Sequence, residues 1–139
     1  MVSQISVFIE NRGGRILKLA EVLRSHGVDI LALSVADTKD FGLLRLIVRD
    51  TEKAVEVLNG AGFATTRSEL IGAEVEDCPG GLCDLLTVLD AAGFSLEYVY
   101  SYVRGQNQRA VIFFKVSEPE RAIALLEKKG ITLLSQETL

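Results

Sequence analysis

Two glycine-containing segments carry the residues of this chain that are best suited to bind a small molecule. They are residues 10–16 (ENRGGRI) and residues 76–82 (EDCPGGL), and each leads into a helix pattern. A glycine pair at a helix start leaves backbone N–H groups unpaired at the positive end of the helix dipole, which suits a carboxylate. Asn11, Asp29 and Asp77 offer acceptors for an ammonium group. Together these groups match both charges of a free amino acid.

A plainer interpretation gives these residues a structural role only, with Asn11 and Asp77 as helix N-caps and the glycines as turn formers. The duplication of the whole set favours a ligand. Asn11 and Asp77 lie 66 positions apart, and so do Gly27 and Gly93 at the helix ends. A repeat of this length holds several elements, so it indicates a duplicated domain, with expected boundaries at 1–68 and 69–139. The second copy carries two extra residues around 105–107.

Each copy shows the element order βαββαβ. The first copy has alternating or apolar strand patterns at 4–10, 29–37, 43–49 and 63–66, with helix patterns at 15–25 and 51–60, the second capped by Thr51. The second copy repeats them as strands 72–76, 95–104, 109–116 and 131–135 and helices 80–92 and 118–129. The predicted fold is α+β: two ferredoxin-like units, each a four-stranded antiparallel sheet with two helices on one face. Residues 67–70 link the units, which we expect to pack as a tandem pair.

With these elements in place, the chain resembles a pair of ACT domains, the amino-acid-sensing modules of many biosynthetic enzymes. The resemblance rests on the two glycine-containing segments at 10–16 and 76–82 and on the helix ends GVDI (27–30) and GFSL (93–96). In that family the turn after the first strand and the residue opening the second strand commonly contact the ligand. The implied ligand-binding residues are Asn11, Arg12, Gly13, Gly14, Asp29 and Ile30 in the first copy, and Asp77, Cys78, Pro79, Gly80, Gly81, Leu82, Ser95 and Leu96 in the second. Gly13 departs from the family pattern, which usually has proline there, and this makes the first loop less rigid.

The resemblance implies a regulatory module without catalytic activity, which senses an amino acid at the loops between first strand and first helix and at the domain interface. The alternative is a regulatory or interaction subunit of an amino-acid biosynthetic enzyme such as acetolactate synthase. The sequence shows no phosphate-binding loop followed by lysine, no His-Glu-x-x-His and no nucleophile elbow. An enzyme whose site is assembled from distant residues stays open as a third class. No cofactor and no metal are expected.

The composition limits the kinds of partner and the cellular location that we expect for this chain. The net charge of −4 and the pI near 5.0 argue against wide contact with nucleic-acid phosphates. Apolar runs are of strand length, so no membrane span is expected, and no signal peptide pattern opens the chain. Cys78 and Cys83 are too few for a zinc site and lie around a helix start, where a disulfide is unfavourable. The expected location is therefore the reducing cytoplasm.

Three further features invite interpretation. Tyr98, Tyr100 and Tyr102 alternate along one strand and so share a face. Aligned on the first copy, they fall on the sheet face away from the helices, which predicts homodimerisation through an exposed aromatic stripe. A shift of register would instead turn them into the core.

His26, in the last turn of a helix, is expected to cap it. Cys78 is either a small turn residue or a reactive thiol with a pKa lowered by the helix start.

Overall fold

The chain folds into two compact units. The computed structural model describes residues 1–10, 12–37, 40–104 and 108–139, so Asn11 and the predicted insertion around 105–107 lie outside the described residues. The N-terminal unit is Ser3–Ser68, and the C-terminal unit combines Met1–Val2 with Glu69–Leu139. No helix in the described ranges is long and apolar enough to cross a membrane.

The N-terminal unit begins with strand β1 and helix α1. Its elements are β1 (Val2–Glu10), α1 (Arg15–Ser25), β2 (Ile30–Asp37), β3 (Phe41–Val48), α2 (Thr51–Gly60) and the first residues of β4 (Ala64–Glu76). Strand β3 pairs antiparallel with both β1 and β2. The helices cover one face, where alternate residues of β1 and β3 form a core with Leu19 and Leu23 of α1 and Leu58 of α2. The apolar residues that recur with a period of two in the strands and of 3.6 in the helices therefore pack against each other in one core.

The C-terminal unit repeats this arrangement. Its elements are the rest of β4, then α3 (Gly81–Ala91), β5 (Leu96–Arg104), β6 (Arg109–Val116), α4 (Pro119–Lys128), β7 (Leu133–Leu134) and a 3₁₀ helix (Gln136–Thr138). The strand order is β5-β6-β4-β7, and all pairs are antiparallel. Ile112 and Phe114 of β6 pack with Leu85 and Leu89 of α3 and with Leu126 of α4. The predicted α+β pair of ferredoxin-like units is confirmed.

Local differences from the predicted elements have physical causes. The expected linker at 67–70 does not exist, because β4 runs without a break from Ala64 to Glu76. This stretch has no proline, and it buries Leu70 and Ile71 as a strand does. Strand β7 is only two residues long. Asp50, not Thr51, caps α2: its carboxylate accepts the Lys53 backbone N–H at 3.1 Å, which leaves the Thr51 side chain buried at the first helical position.

The three tyrosines lie on the predicted sheet face, but their side chains are not fully exposed to solvent. Tyr100 and Tyr102 pair with Phe113 and Val111, which point away from the helix-covered core. The rings of Tyr100 and Tyr102 pack on the fully buried ring of Phe113 at 5.8 and 5.6 Å, and each tyrosine is half-buried. The expectation of an exposed aromatic stripe is therefore wrong, and a dimer through this face stays a prediction without that support.

Candidate functional site

The corner between β4 and α3 is built around two glycines. Gly80 is the N-cap of α3, with φ of 99°, a left-handed conformation that favours glycine. Gly81 follows it under the carbonyl oxygen of Glu76, with which an added Cβ would collide. No described side chain caps the helix, and the first turn of a helix leaves amide hydrogens without intrahelical acceptors. The backbone itself is the donor surface of this corner.

An open groove of about 960 Å³ runs beside α3 from this corner. It is lined by Gly80, Leu82, Cys83, Leu86, Thr87, Leu89, Asp90, Ala91, Phe94, Ser95 and Leu96. Four predicted ligand-binding residues, namely Gly80, Leu82, Ser95 and Leu96, are thus brought to one surface. The wall is mostly apolar, and the Asp90 carboxylate supplies its charge.

The groove is longer than one amino acid. Gly80 precedes the first residue of α3, whereas Ser95 and Leu96 follow its last turn. An 11-residue helix is about 16 Å long at a rise of 1.5 Å per residue. Within one unit, Gly80 and Ser95 therefore lie at opposite ends of the groove, and a single amino acid cannot touch both.

The other predicted residues of this unit lie outside the groove. Asp77, Cys78 and Pro79 are exposed, and the Asp77 backbone N–H donates to the Gln108 carbonyl at 2.7 Å. Gly81 lines a neighbouring cavity of about 350 Å³. Because Gly80 is the N-cap, the interpretation of Asp77 as a helix cap is wrong.

The corner between β1 and α1 is different. Arg12, Gly13 and Gly14 are exposed, and Arg12 forms an ion pair with Glu10 at 2.7 Å. Gly14, with φ of 86°, is the N-cap of α1. Arg15 occupies the position equivalent to Gly81, and its guanidinium lies 4.6 Å from the centre of the Phe63 ring. Its side chain therefore lies over Phe63, whereas Gly81 has no side chain and lines the cavity of about 350 Å³.

The remaining predicted residues of the N-terminal unit lie at the other end of α1. Asp29 is exposed, and Ile30 packs partly against the core. Asn11 lies outside the described residues, so its contacts with either residue are not described.

Cys78 does not have the lowered pKa that its place near a helix start suggests. Partial desolvation, followed by the nearby carboxylates of Glu76, Asp84 and Asp77, raises the pKa of the Cys78 thiol. These causes leave less thiolate near neutral pH, so the raised pKa does not support the interpretation of Cys78 as a reactive thiol. Both cysteines are free and exposed. No group of three or more possible metal ligands forms within the described parts of the chain.

His26 has the predicted capping role. It is the C-cap of α1, and its Nδ1 lies 2.9 Å from the carbonyl oxygen of Val22. As the protonated nitrogen, Nδ1 donates to that carbonyl, which also accepts from the Ser25 hydroxyl at 2.8 Å.

The sequence interpretation missed the middle of the groove. Cys83, Leu86, Thr87, Asp90 and Phe94 were not predicted as site residues, although all line it. A signal was present, because the first four recur with Leu82 at the three- and four-residue spacing that places residues on one side of a helix. The glycine motif instead predicted site residues at the start of the helix.

Comparison with known proteins identifies the class. The ACT domain pair family matches residues 1–139, and the chain belongs to this family. The crystal structure of a protein from Bacteroides thetaiotaomicron is 34% identical, with a TM-score of 0.90 over 97% of this chain and 92% of the other. No curated protein sequence matches the chain.

Two regulatory subunits share the fold. The ligand-free regulatory subunit of aspartate kinase from Thermus thermophilus is 14% identical, with a TM-score of 0.67 over 91% of both chains. The regulatory subunit of aspartate kinase from Thermus flavus is 15% identical, with a TM-score of 0.62 over 90% of this chain and 88% of the other. The chain is thus an ACT domain pair whose fold resembles that of regulatory subunits of aspartate kinase.

Proposed function

We propose that this protein is a non-catalytic regulatory module that binds a free amino acid at the start of α3. The observation that carries the proposal is the corner at Gly80 and Gly81, where two glycines open a helix without a side-chain cap and Gly80 borders an apolar groove. The ligand carboxylate accepts from the amide hydrogens of Leu82 and Cys83, which the helix leaves without intrahelical acceptors. The ligand side chain lies on the apolar wall of the groove.

The ammonium group has acceptors at the same corner. Glu76, Asp77 and Asp84 place three carboxylates around the helix start, and the two bases of the neighbouring cavity, Arg109 and Lys129, do not line the groove. An amine is therefore attracted to the corner, while the carboxylate of the same ligand needs direct contact with the amides. This arrangement favours a zwitterion over an anion.

A second function is proposed on the basis of the fold. Over 91% of its length the chain shares the fold of a regulatory subunit of aspartate kinase, which supports a regulatory or interaction subunit of an amino-acid biosynthetic enzyme, acetolactate synthase being one example. In that case the protein associates with a separate catalytic chain. The two free thiols suit a reducing cytoplasm, where such enzymes and amino-acid pools occur.

A thermal-shift screen against the standard amino acids tests the first proposal. A ligand present at a hundredfold its dissociation constant stabilises the folded state by about 2.7 kcal/mol through mass action. We expect one amino acid, or a small group of similar ones, to raise the melting temperature. If none does so at millimolar concentration, the proposal is wrong.

Two substitutions locate the site. Leu82→Asp adds a carboxylate at an exposed position beside the proposed carboxylate subsite and should abolish the shift without unfolding the chain. The matched control is Ile16→Asp, the equivalent exposed position at the start of α1, which should leave the shift unchanged. A shift lost only in the Ile16 variant would place the ligand in the N-terminal unit. Co-purification of a large enzyme, with no shift by any amino acid, would favour the subunit function.

A further inference from the structure

The groove beside α3 has two halves that differ in chemistry. The half next to Gly80 is lined by one side of the first two helical turns, namely Leu82, Cys83, Leu86 and Thr87. The far half contains Asp90, which is the charged residue among the described residues that line the groove. A ligand held at the start of α3 therefore meets the uncharged half first.

The one hydroxyl of the uncharged half is engaged inside the helix. Thr87 Oγ1 donates to the backbone carbonyl oxygen of Cys83 at 2.7 Å, so its hydrogen is not free for a ligand. The Cys83 thiol is only a weak donor, and the two leucines present hydrocarbon. The described side chains of this half therefore offer a ligand neither a charge nor a strong hydrogen-bond donor.

The length of an amino acid decides which half its side chain contacts. Along the helix axis, Leu86 lies about 6 Å and Asp90 about 12 Å beyond Leu82, at a rise of 1.5 Å per residue. A side chain of four carbons in line extends roughly 6 Å from the carboxyl carbon, at about 1.2 Å per bond of an extended chain. With the carboxylate at the amides of Leu82 and Cys83, such a side chain ends beside Leu86 and stops short of Asp90.

We propose that the amino acid bound at the start of α3 has an aliphatic or thioether side chain, which lies against Leu82 and Leu86. This inference rests on the proposed function and names the class of its ligand. Leu82 is 42% exposed and Leu86 is half-buried, so both have apolar surface that a ligand can cover. Covering that surface is favourable in proportion to the area removed from water. A polar side chain would instead lose water without a strong donor or a charge to replace it.

The competing class is a basic amino acid, whose terminal cation would be attracted to Asp90. A cation of the protein is already present at that end of α3. The Arg121 guanidinium lies 4.8 Å from the centre of the Phe94 ring and donates to the Ala92 carbonyl at 3.0 Å. Because like charges repel, Arg121 opposes a second cation there, which favours the aliphatic class.

A series of straight-chain amino acids tests the proposal. Alanine, 2-aminobutyrate, norvaline and norleucine differ by one methylene at each step. The wall covers only one side of the ligand, so each methylene should gain about half the free energy of full burial, which is about a twofold rise in affinity. Norleucine should therefore bind about eightfold more tightly than alanine, as measured by isothermal titration calorimetry.

Two pairs of ligands separate shape from polarity. Lysine carries an ammonium group on the four-carbon chain of norleucine, and asparagine has the branched shape of leucine with an amide in place of the methyl groups. We expect norleucine to bind more tightly than lysine, and leucine to bind at least about fivefold more tightly than asparagine.

One substitution tests the wall itself. Leu86→Ala removes apolar surface beside the end of the ligand, so the advantage of norleucine over alanine should fall from about eightfold to about twofold, while alanine itself binds as before. The matched control is Leu125→Ala, which truncates a half-buried leucine of α4 that does not line the groove and should leave the series unchanged. Circular dichroism checks that both variants are folded.

Three results would overturn the proposal. They are an affinity that does not rise with chain length, a lysine or asparagine that binds more tightly than its apolar counterpart, and a series that Leu86→Ala leaves unchanged. If Leu82→Asp still abolishes binding in any of these cases, the site at the start of α3 stands and only the ligand class is wrong. Binding by no amino acid would instead reject the proposed function, and this inference with it.

Discussion

The two corners of this molecule descend from one sequence pattern yet differ in what they leave accessible. In the C-terminal unit, Gly81 allows the helix start to lie against the Glu76 carbonyl and lines a cavity of about 350 Å³, while the groove begins at Gly80. In the N-terminal unit the same position is Arg15, whose side chain covers Phe63. Both helices share the left-handed glycine before their first residue, Gly14 and Gly80. The next residue decides whether a side chain packs beside the helix start, as Arg15 does on Phe63, or a cavity is left, as at Gly81.

The cores of the two units differ much less than their surfaces. Leu19 and Leu23 of α1 are buried, and so are Leu85 and Leu89 at the equivalent positions of α3. The exposed residues that flank these leucines are basic in α1, Lys18 and Arg24, and acidic in α3, Asp84 and Asp90. Burial constrains side-chain volume and polarity, whereas a solvated position accepts either charge at little cost. The duplicated fold therefore persists while its two surfaces can take different roles.

The largest expected effect comes from closing the open corner. Gly81→Ala places a Cβ against the Glu76 carbonyl oxygen, so the backbone must move, at a cost of about 3 kcal/mol. Gly13→Ala is the matched control, because its added Cβ has no atom of the described structure within 4 Å and its φ is not positive. We expect that control to stay within about 0.5 kcal/mol of the unchanged chain. Urea denaturation measures both, and equal losses would refute the difference between the corners.

A smaller effect, common to both corners, is expected at the left-handed glycines. Gly14→Ala and Gly80→Ala each force a Cβ into a conformation with φ of 86° or 99°, at about 1–2 kcal/mol. Neither added Cβ meets another atom within 4 Å in the described residues, so backbone strain alone sets the cost. The two losses in unfolding free energy should therefore agree. A clearly larger loss at Gly80 would show that this corner has a further requirement.

The smallest expected effect concerns Cys78. Because desolvation and neighbouring carboxylates raise the pKa of its thiol, less thiolate is present near pH 7 than in the unfolded chain. Iodoacetamide should therefore alkylate Cys78 more slowly in the folded protein than in urea, and the difference should vanish at a pH above the raised pKa. Glu76→Gln removes one of the causes and should speed the reaction. Faster alkylation in the folded state would show that the helix dipole dominates after all.

Much of the fold was predictable because each strand and helix pattern occurs twice in the sequence. The bounds of α1 and β6 agree with the predicted ones. The run of β4 through 67–70 was not predicted, because a short polar stretch between two copies is also typical of a linker. The cap of α2 was misplaced by one residue, since Asp50 and Thr51 are both good cap residues and only the contact with Lys53 distinguishes them.

The candidate site was less predictable than the fold. The motif identified Gly80 and Leu82 at one end of the groove and Ser95 at the other. It did not show that the length of α3 separates these ends, because the spacing of residues in the sequence does not give the direction of the helix axis. The contact that Arg15 makes with Phe63 was also not predictable, because the two residues are 48 positions apart in the sequence.

Chemical-shift mapping by nuclear magnetic resonance shows whether the ligand lies at the start of α3. The amino acid that gives the largest thermal shift is titrated into isotope-labelled protein, and backbone amide signals are followed at both corners. We expect the amide signals of Gly81, Leu82 and Cys83 to shift on titration and those of Arg15, Ile16 and Leu17 to stay unchanged. Shifts at the α1 start alone, or shifts at neither corner despite saturation, would contradict this expectation.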